Sequence, residues 1–439
     1  MIKLSKLHLE QLGGCAPRRN YLARMRNNLL NAMGVENRAA APGPDDGRCA
    51  SRLDGDVPAT AHVVMLWNYL PTHFLSTMRC LSKKLGRLTF VLSEVIDPGR
   101  AAHWKPELDG FRVVIQRSLA LPVMHRHPVG FKYPGRILVP YSTIGDLLRI
   151  DPDVVIALEV GPRTILALLH RTLGARYKLI IQVRESEITA MFRGRFRRWV
   201  RKLVLPCADR VLVNGYSGLR YVLACGVKPQ MISVVPSGTD LTTFGSKIMQ
   251  ERSDDSLRLL YVGALIELKG IMPFAHALAE VASQHSREIH WTLIGEGPLA
   301  ENLSKLALPP GLSVEVLAPC SYGDLPAHYG QHDVFVMPSL ADEWGMVVNE
   351  AMAMGLPVLG SNGCVAVEEM VEERTSGWKY APGNASELRN ALTELLSRSK
   401  AELRVMGENA RAAAFEISDE RVAEMMMKVV RDVMCQHPE

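Results

Sequence analysis

The chain has 439 residues, more than one ordinary hydrophobic core accommodates, so two domains are expected. Hydrophobic residues make up 47% and charged residues 22%, a globular composition, and no apolar run is long enough to span a bilayer. The net charge is only +5, no recognised nucleic-acid module is present, and the 8 cysteines form no CxxC pair; this speaks against nucleic acid, zinc and a disulfide framework, and fits a reducing cytoplasm.

Residues 1–60 contain APGPDDGRCASRLDGD and show no sustained periodicity. They read as a mobile extension with a candidate short basic helix inside it, without the apolar centre of a secretory signal. Order is expected from AHVVMLWNYL (61–70) onward. LTFVLSEV, FRVVIQRS, DVVIALEV, KLIIQVRE and RVLVNGYS are further strand candidates, with helical stretches such as TILALLHRTLGA and RFRRWVRKLVL between several of them. Near-continuous apolar strands of this kind predict a parallel sheet covered on both faces.

Two short motifs in this half invite a metal and lose it on context. DPD (151–153) precedes a strand, where Asp-Pro marks a turn, and HRH (125–127) has no evident partner ligands. RGRFRRWVRK (193–202) is different. It holds Arg193, Arg195, Arg197, Arg198, Arg201 and Lys202 without an acid, interleaved with Phe196, Trp199 and Val200, and Leu203 follows. As a helix it has an apolar stripe beside a basic face. One reading rests residues 193–203 on an anionic membrane; the other packs Trp199 and Leu203 on the protein's own core.

A second series begins after the polar stretch 245–256, with strands LRLLYVGAL, HWTLIGEG, LSVEVLAP, DVFVMPSL and PVLGS. The expected organisation is a first Rossmann-like domain over 61–244, a second over 257–416, and a final helix within 417–439 that packs back towards the first. Ligands of such doubly wound α/β sheets lie beyond the carboxyl ends of the strands, so the loops there are where chemistry is sought.

Four such loops stand out in the second half. In YVGALIELKGI, Lys269 supplies a mobile cation for phosphates after Gly263 and Ala264. LIGEGPL places Gly295 and Gly297 around Glu296. In PSLADEWGMVVNEAMAMG, Gly345 precedes a helix whose amides at Met346 and Val347 suit a diphosphate. Glu350, one turn inside, suits the vicinal hydroxyls of a ribose, while Asp342 and Glu343 lie where sugar hydroxyls are held. GSNGCVAVEEMV is another glycine turn entering a helix. Each piece alone has an ordinary reading: a tight turn, a turn before a helix, or an electrostatic cap. Their order within one half carries the weight.

That order resembles the donor domain of the family 4, GT-B-fold, retaining glycosyltransferases of the glycosyl transferases group 1 type. The matching stretches are GALIELKG (263–270), GEGP (295–298), DEWGMVVNEAMAMGLPV (342–358) and VVPSGTDLTTF (234–244). The resemblance spans about 160–440, thins over 61–160 and is absent before 60. It implies a GT-B fold of two Rossmann-like domains facing a cleft. It assigns Lys269 to the donor diphosphate, Glu350 to the ribose and Asp342 to the donor sugar. Two positions depart from the family pattern: Ala264 stands where an arginine is usual, and Asp342 where the first acid is usually longer by one methylene.

The resemblance further implies a nucleotide-diphosphate sugar as substrate, UDP-linked by default, with no cofactor and no metal. The acceptor, a glycan or a lipid-linked one, is expected on the first domain. Arg163 in the GPRT loop and Arg184 and Glu185 in IIQVRESEIT are its candidate contacts. Exopolysaccharide or cell-surface glycan synthesis is the implied pathway, in the cytoplasm or peripherally at the inner membrane face. Two other classes remain open: a noncatalytic GT-B protein binding a nucleotide sugar or a partner transferase, and an epimerase or phosphorylase on the same fold.

Overall fold

The computed structural model of the chain describes residues 61–95, 108, 110–126, 132–191, 194–246 and 254–435. The expected extension over 1–60 lies outside the described residues.

The first sheet is built from β1 (His62–Trp67), β2 (Arg87–Leu92), β3 (Arg112–Ile115), then, after the hairpin β4 (Leu119–Arg126) and β5 (Lys132–Val139), from β6 (Val154–Leu158), β7 (Lys178–Val183), β8 (Arg210–Val213) and β9 (Ile232–Val234). Its order is β3-β2-β1-β6-β7-β8-β9, and all pairs are parallel. The chain runs outward from β1 to β3, then crosses to β6 on the other side of β1. That crossing makes the β1–β6 boundary a topological switch point. Every residue of β1 is buried, as a strand covered on both faces requires.

Between these strands lie α1 (Leu75–Lys84), α2 (Thr143–Ile150), α3 (Pro162–Thr172), α4 (Glu187–Met191), α5 (Arg195–Val204), α6 (Tyr216–Ala224) and α7 (Leu241–Phe244). The DPD stretch is structural. Asp151 caps α2 in the left-handed conformation, φ 47°, and Asp153 Oδ2 accepts the amide of His62 at 2.7 Å. Of HRH, His127 and the side chains of His125 and Arg126 lie outside the described residues.

The second sheet holds β10 (Leu257–Val262), β11 (Ile289–Ile294), β12 (Leu312–Leu317), β13 (Val334–Met337), β14 (Val358–Ser361) and β15 (Gly377–Tyr380). Its order is β12-β11-β10-β13-β14-β15, again all parallel, with the switch point between β10 and β13. Its helices are α8 (Ile271–Ala282), α9 (Ala300–Ser304), α10 (Leu325–Tyr329), α11 (Met346–Ala353), α12 (Val365–Met370), α13 (Ala385–Leu396), α14 (Lys400–Phe415) and α15 (Asp419–Cys435). Phe274 and Trp291 sit at the centre of this core with ring centroids 5.0 Å apart. The chain therefore has the α/β architecture expected, two doubly wound Rossmann-like layers.

The carboxyl edges of the two sheets meet. Asn214, just past β8, donates from Nδ2 to the carbonyl of Glu343 at 2.7 Å. The amide of Tyr216 donates to Glu369 Oε1 at 2.5 Å. Gly215 beside it has no room for a Cβ, because Glu369 Oε1 occupies that position. The helix α15 lies against α1: Thr77 Oγ1 donates to Asp419 Oδ1, and Lys84 Nζ pairs with Glu424 at 3.1 Å. Met426 and Met427 of α15 are buried, so these methionines serve packing.

Candidate active site

Three loops converge at the carboxyl edge of the second sheet. The β10–α8 loop ends in a short turn, Glu267–Lys269, and Gly270 at φ 63° starts α8. A Cβ on Gly270 would lie 2.2 Å from the carbonyl oxygen of Pro338, so the β10 and β13 loops touch only because this residue is glycine. The amide of Leu340 donates to the carbonyl of Leu268 at 2.9 Å, and that of Asp342 to Gly363 at 2.9 Å. The β10, β13 and β14 loops are thereby stitched into one surface.

On that surface Lys269 Nζ forms an ion pair with Asp342, both side chains about four-fifths buried. Asp342 was expected at the sugar and Lys269 at the phosphates; the structure joins the two. Glu343 next to Asp342 directs its carbonyl at Asn214 of the first domain. Where an arginine was expected, the carbonyl of Ala264 accepts from Tyr261 Oη at 2.9 Å.

The glycines have a different physical reason from the one the sequence offered. Gly263, Gly295 and Gly297 have φ of 151°, 158° and 152°. A Cβ on Gly295 would meet the carbonyl oxygen of Gly263 at 1.9 Å, and one on Gly297 that of Leu265 at 2.4 Å. The β10 and β11 loops lie directly on each other, and the amide of Leu265 donates to the carbonyl of Glu296 at 2.8 Å. These glycines are required by loop packing, whether or not a phosphate approaches them. At Gly345, φ 96°, a Cβ would lie 2.5 Å from Cys364 Sγ and 3.0 Å from Met337 Cε. The helix α11 starts immediately after it, so the amides of Met346 and Val347 belong to its first turn, where no intrahelical partner exists.

Glu350 lies one turn inside α11 and is 5% exposed. Its Oε2 accepts a hydrogen bond from Tyr329 Oη at 2.8 Å. Burial pushes its carboxyl up to about 7; the hydrogen bond from Tyr329 works against this, and the charge of Asp240 adds to it. Tyr322 and Tyr329 both pack edge-on against Phe244, at 5.2 and 5.8 Å between ring centroids. The preceding residue, Asn349, is fully buried. It accepts from Trp344 Nε1 at 2.8 Å and donates to the carbonyl of Ser237 and to Thr239 Oγ1, both at 3.1 Å.

Sequence reasoning missed this supporting set. Tyr329 and Tyr322 lie before β13, and Asp240 lies in the segment joining the domains. Only folding brings them together, and no spacing within a single loop announces them.

The candidate acceptor residues separate in the structure. Arg163 is buried at the start of α3, and its Nη2 donates to Ser93 Oγ at 2.5 Å. Arg184 places its guanidinium 4.5 Å from the ring centroid of Phe74, a cation–π contact. Glu185 is 2% exposed, and its carboxylate pairs with Arg201 at 2.9 Å inside the fold. Arg201 is paired at 2.9 Å with Glu159 as well. Glu159 itself adopts φ 61°, and its Oε1 accepts the amides of Arg184 and Glu185 at 2.6 and 3.2 Å.

The basic helix also departs from one of its two readings. Phe196, Trp199 and Leu203 are 74%, 57% and 54% exposed, so this stripe does not pack on the core. Phe196 and Trp199 stack on each other with centroids 6.0 Å apart. Arg201, counted on the basic face, points inward instead. Arg193 lies outside the described residues. No helix among the described residues is long and apolar enough to cross a membrane.

Residues 247–413 match the family described as glycosyl transferases group 1. The match covers the second sheet with its helices up to α14, the part that holds Lys269, Asp342 and Glu350. Among its relatives is a D-inositol 3-phosphate glycosyltransferase of Corynebacterium kroppenstedtii, 28% identical over 260 residues, covering 55% of this chain and 57% of that one. The chain spans between 40% and 60% of the length of the curated relatives it matches. Two solved structures share the fold. The Anabaena protein HepE, in complex with UDP, has a TM-score of 0.64 at 16% identity, covering 84% of this chain and 100% of that one. A sucrose-phosphate synthase from Thermosynechococcus elongatus has a TM-score of 0.63 at 17% identity, covering 85% of this chain and 99% of that one.

Proposed function

We propose that this chain is a retaining, metal-independent glycosyltransferase of the family 4 type. It moves a sugar, a hexose by default, from a nucleotide diphosphate to a glycan or lipid-linked acceptor. The observation that carries this reading is the Lys269–Asp342 pair at the carboxyl edge of the second sheet, in the loop that leads into α11, with Glu350 one turn inside that helix. UDP is the default carrier, a choice that the UDP held by the structural neighbour HepE supports. Cell-surface glycan synthesis is the pathway we adopt for it.

In this reading the diphosphate lies on the first turn of α11, whose amides and positive potential suit an anion. Lys269 turns from Asp342 to the phosphates, and Glu350 accepts hydrogen bonds from the ribose. The bond between the sugar's anomeric carbon and the diphosphate oxygen breaks. The new bond to the acceptor oxygen forms on the same face, and the acceptor's proton passes to the departing phosphate oxygen. Lys269 and the helix amides stabilise the charge that develops there. Apposition of the two carboxyl edges excludes water, which suppresses hydrolysis of the donor. The exposed aromatic stripe of α5 and the arginines beside it fit contact with an anionic membrane at its inner face, where a lipid-linked acceptor lies.

The test is titration of the protein with a panel of nucleotides and nucleotide sugars, followed by product analysis with an acceptor present. Binding of one diphosphate nucleotide, tighter for one of its sugars, with retained anomeric configuration in the product, is expected. Binding without turnover on any acceptor would favour a noncatalytic GT-B protein. Ala264 and Asp342, the two departures from the family pattern, are the features that favour that second reading.

A further inference from the structure

Among the described residues of the first domain two arginines are deeply buried, and they are treated in opposite ways. Arg201, 3% exposed, lies between the carboxylates of Glu159 and Glu185, each 2.9 Å away. Arg163, 5% exposed, has no carboxylate partner among the described residues. Its one described hydrogen bond goes from Nη2 to the neutral Ser93 Oγ, and its buried Nε has no partner. Burial, with no opposing charge, pushes its guanidinium down to about 10. A buried cation without a counter-charge is costly, and proteins rarely keep one without a use.

Its position supplies the use. Arg163 is the second residue of α3, a helix of 11 residues that begins after β6. Its capping residue, Gly161, contributes no side chain to the helix amides. Ser93 follows β2, and β1 pairs with both β2 and β6. The guanidinium therefore reaches from the end of β6 past the end of β1 to the end of β2. It spans the topological switch point of the first sheet, where ligands of such sheets bind. This is the carboxyl edge that faces the second domain, as the contacts of Asn214 and Tyr216 show.

We propose that Arg163 and the first turn of α3 form an anion site for a phosphate group carried by the acceptor substrate. The guanidinium offers a fork of N–H donors and the helix start offers free amides, a pair that suits a tetrahedral oxyanion. This deepens the transferase reading and rests on it: the acceptor is phosphorylated, and the phosphate fixes it on the first domain with a hydroxyl towards the donor.

The probe is inorganic phosphate, titrated into the full chain by thermal shift against chloride at matched ionic strength. Saturating UDP is present, so that the donor's diphosphate position is filled. The wild type is expected to gain stability from phosphate, and Arg163→Met to show at least a ten-fold weaker half-saturation. Arg163→Met without phosphate is expected to melt at or above the wild-type temperature, because it removes an uncompensated buried charge. Arg163→Lys, which keeps the charge and loses the fork, is expected to retain part of the response and guards against misfolding of the first variant. An equal phosphate response in wild type and both variants overturns the proposal. So does a lower melting temperature of Arg163→Met with no phosphate response in the wild type, the behaviour of a structural arginine. Loss of UDP binding in Arg163→Met overturns the acceptor assignment by moving the residue to the donor. Absence of UDP binding in all proteins sinks the donor reading, while the phosphate titration still decides this one.

Discussion

Tyr329 Oη donates to Glu350 Oε2 at 2.8 Å in a pocket that leaves Glu350 only 5% exposed. The carboxyl is pushed from 4.5 to about 7, chiefly by burial. The fold thus binds this proton more tightly than the unfolded chain does. Its contribution to stability is fully present below 4.5 and is lost as pH rises through about 7. Glu350→Gln is therefore expected to melt above the wild type at pH 8 and level with it near pH 4. The difference in stability is on the order of 3 kcal/mol at most. Parallel melting curves at both pH values would contradict the burial argument.

The same residue sets a binding profile. A ribose hydroxyl donates more strongly to a carboxylate than to a neutral carboxyl. Wild-type affinity for UDP should rise between pH 6 and 8, across the value of about 7. Glu350→Gln should bind roughly ten-fold more weakly at pH 8, with a flat profile. Calorimetric titration at several pH values reads both. An unchanged affinity removes Glu350 from the ribose.

Lys269 and Asp342 are paired in the ligand-free protein, so a donor must compete for the lysine. Lys269→Met should lower turnover by ~10²–10³, the cost of losing one preorganised charge at the leaving group. Asp342→Asn should lower turnover as well, yet leave UDP binding as tight or tighter, because Lys269 is then released to the phosphates. A parallel loss of UDP affinity in Asp342→Asn would mean that Asp342 positions Lys269 and does not restrain it.

Most strands of the two sheets were legible because parallel strands covered on both faces read as unbroken apolar runs. β1, β6 and β7 are such runs. The hairpin β4–β5 was not legible: it carries Pro122, Pro134, His125 and Arg136, and its Leu119 and Met124 are exposed. No second sheet face enforces a pattern on it. β9 and β15, of three and four residues, are too short to show a period. Lys269 and Asp342 were expected in loops after strands and Glu350 one turn into the following helix, and the structure has them at those places because the strand ends were legible. Tyr329 was not, because it reaches Glu350 from α10, across β13. The fate of Arg201 was equally hidden. A run of arginines does not say which one turns inward, and only the acids at Glu159 and Glu185 decide it.

The exposed stripe of α5 makes a prediction about stability as much as about binding. Phe196 and Trp199 are 74% and 57% exposed, so replacing both with serine removes little core packing. The change in stability should stay within about 0.5 kcal/mol. Sedimentation with vesicles rich in anionic lipid should fall for this variant. It should fall again when Arg195, Arg197 and Arg198 become glutamate, and the wild-type signal should weaken with salt. A clear loss of stability with vesicle binding unchanged would return the stripe to the protein's own core.

Glu369 ties the two domains and gives the last expectation. It lies on α12, its Oε1 accepts the Tyr216 amide at the start of α6, and it is 8% exposed. Burial pushes its carboxyl up to about 8. The Tyr216 amide, Arg220 and Lys379 act against that shift, and Glu368 acts with it. The closed arrangement therefore favours the protonated form. Its stabilising contribution is fully present below 4.5 and is lost as pH rises through about 8. Scattering measurements on the ligand-free wild type should show the radius of gyration growing between pH 7 and 9.5 as the domains part. Glu369→Gln keeps the acceptor oxygen without the charge, so it should hold one radius across that interval. Asn214→Ala removes the neighbouring contact with Glu343 and should open the wild-type protein already at pH 7. A radius independent of pH in the wild type would mean that the ionised carboxylate is accommodated at the α6 start as well as the neutral one.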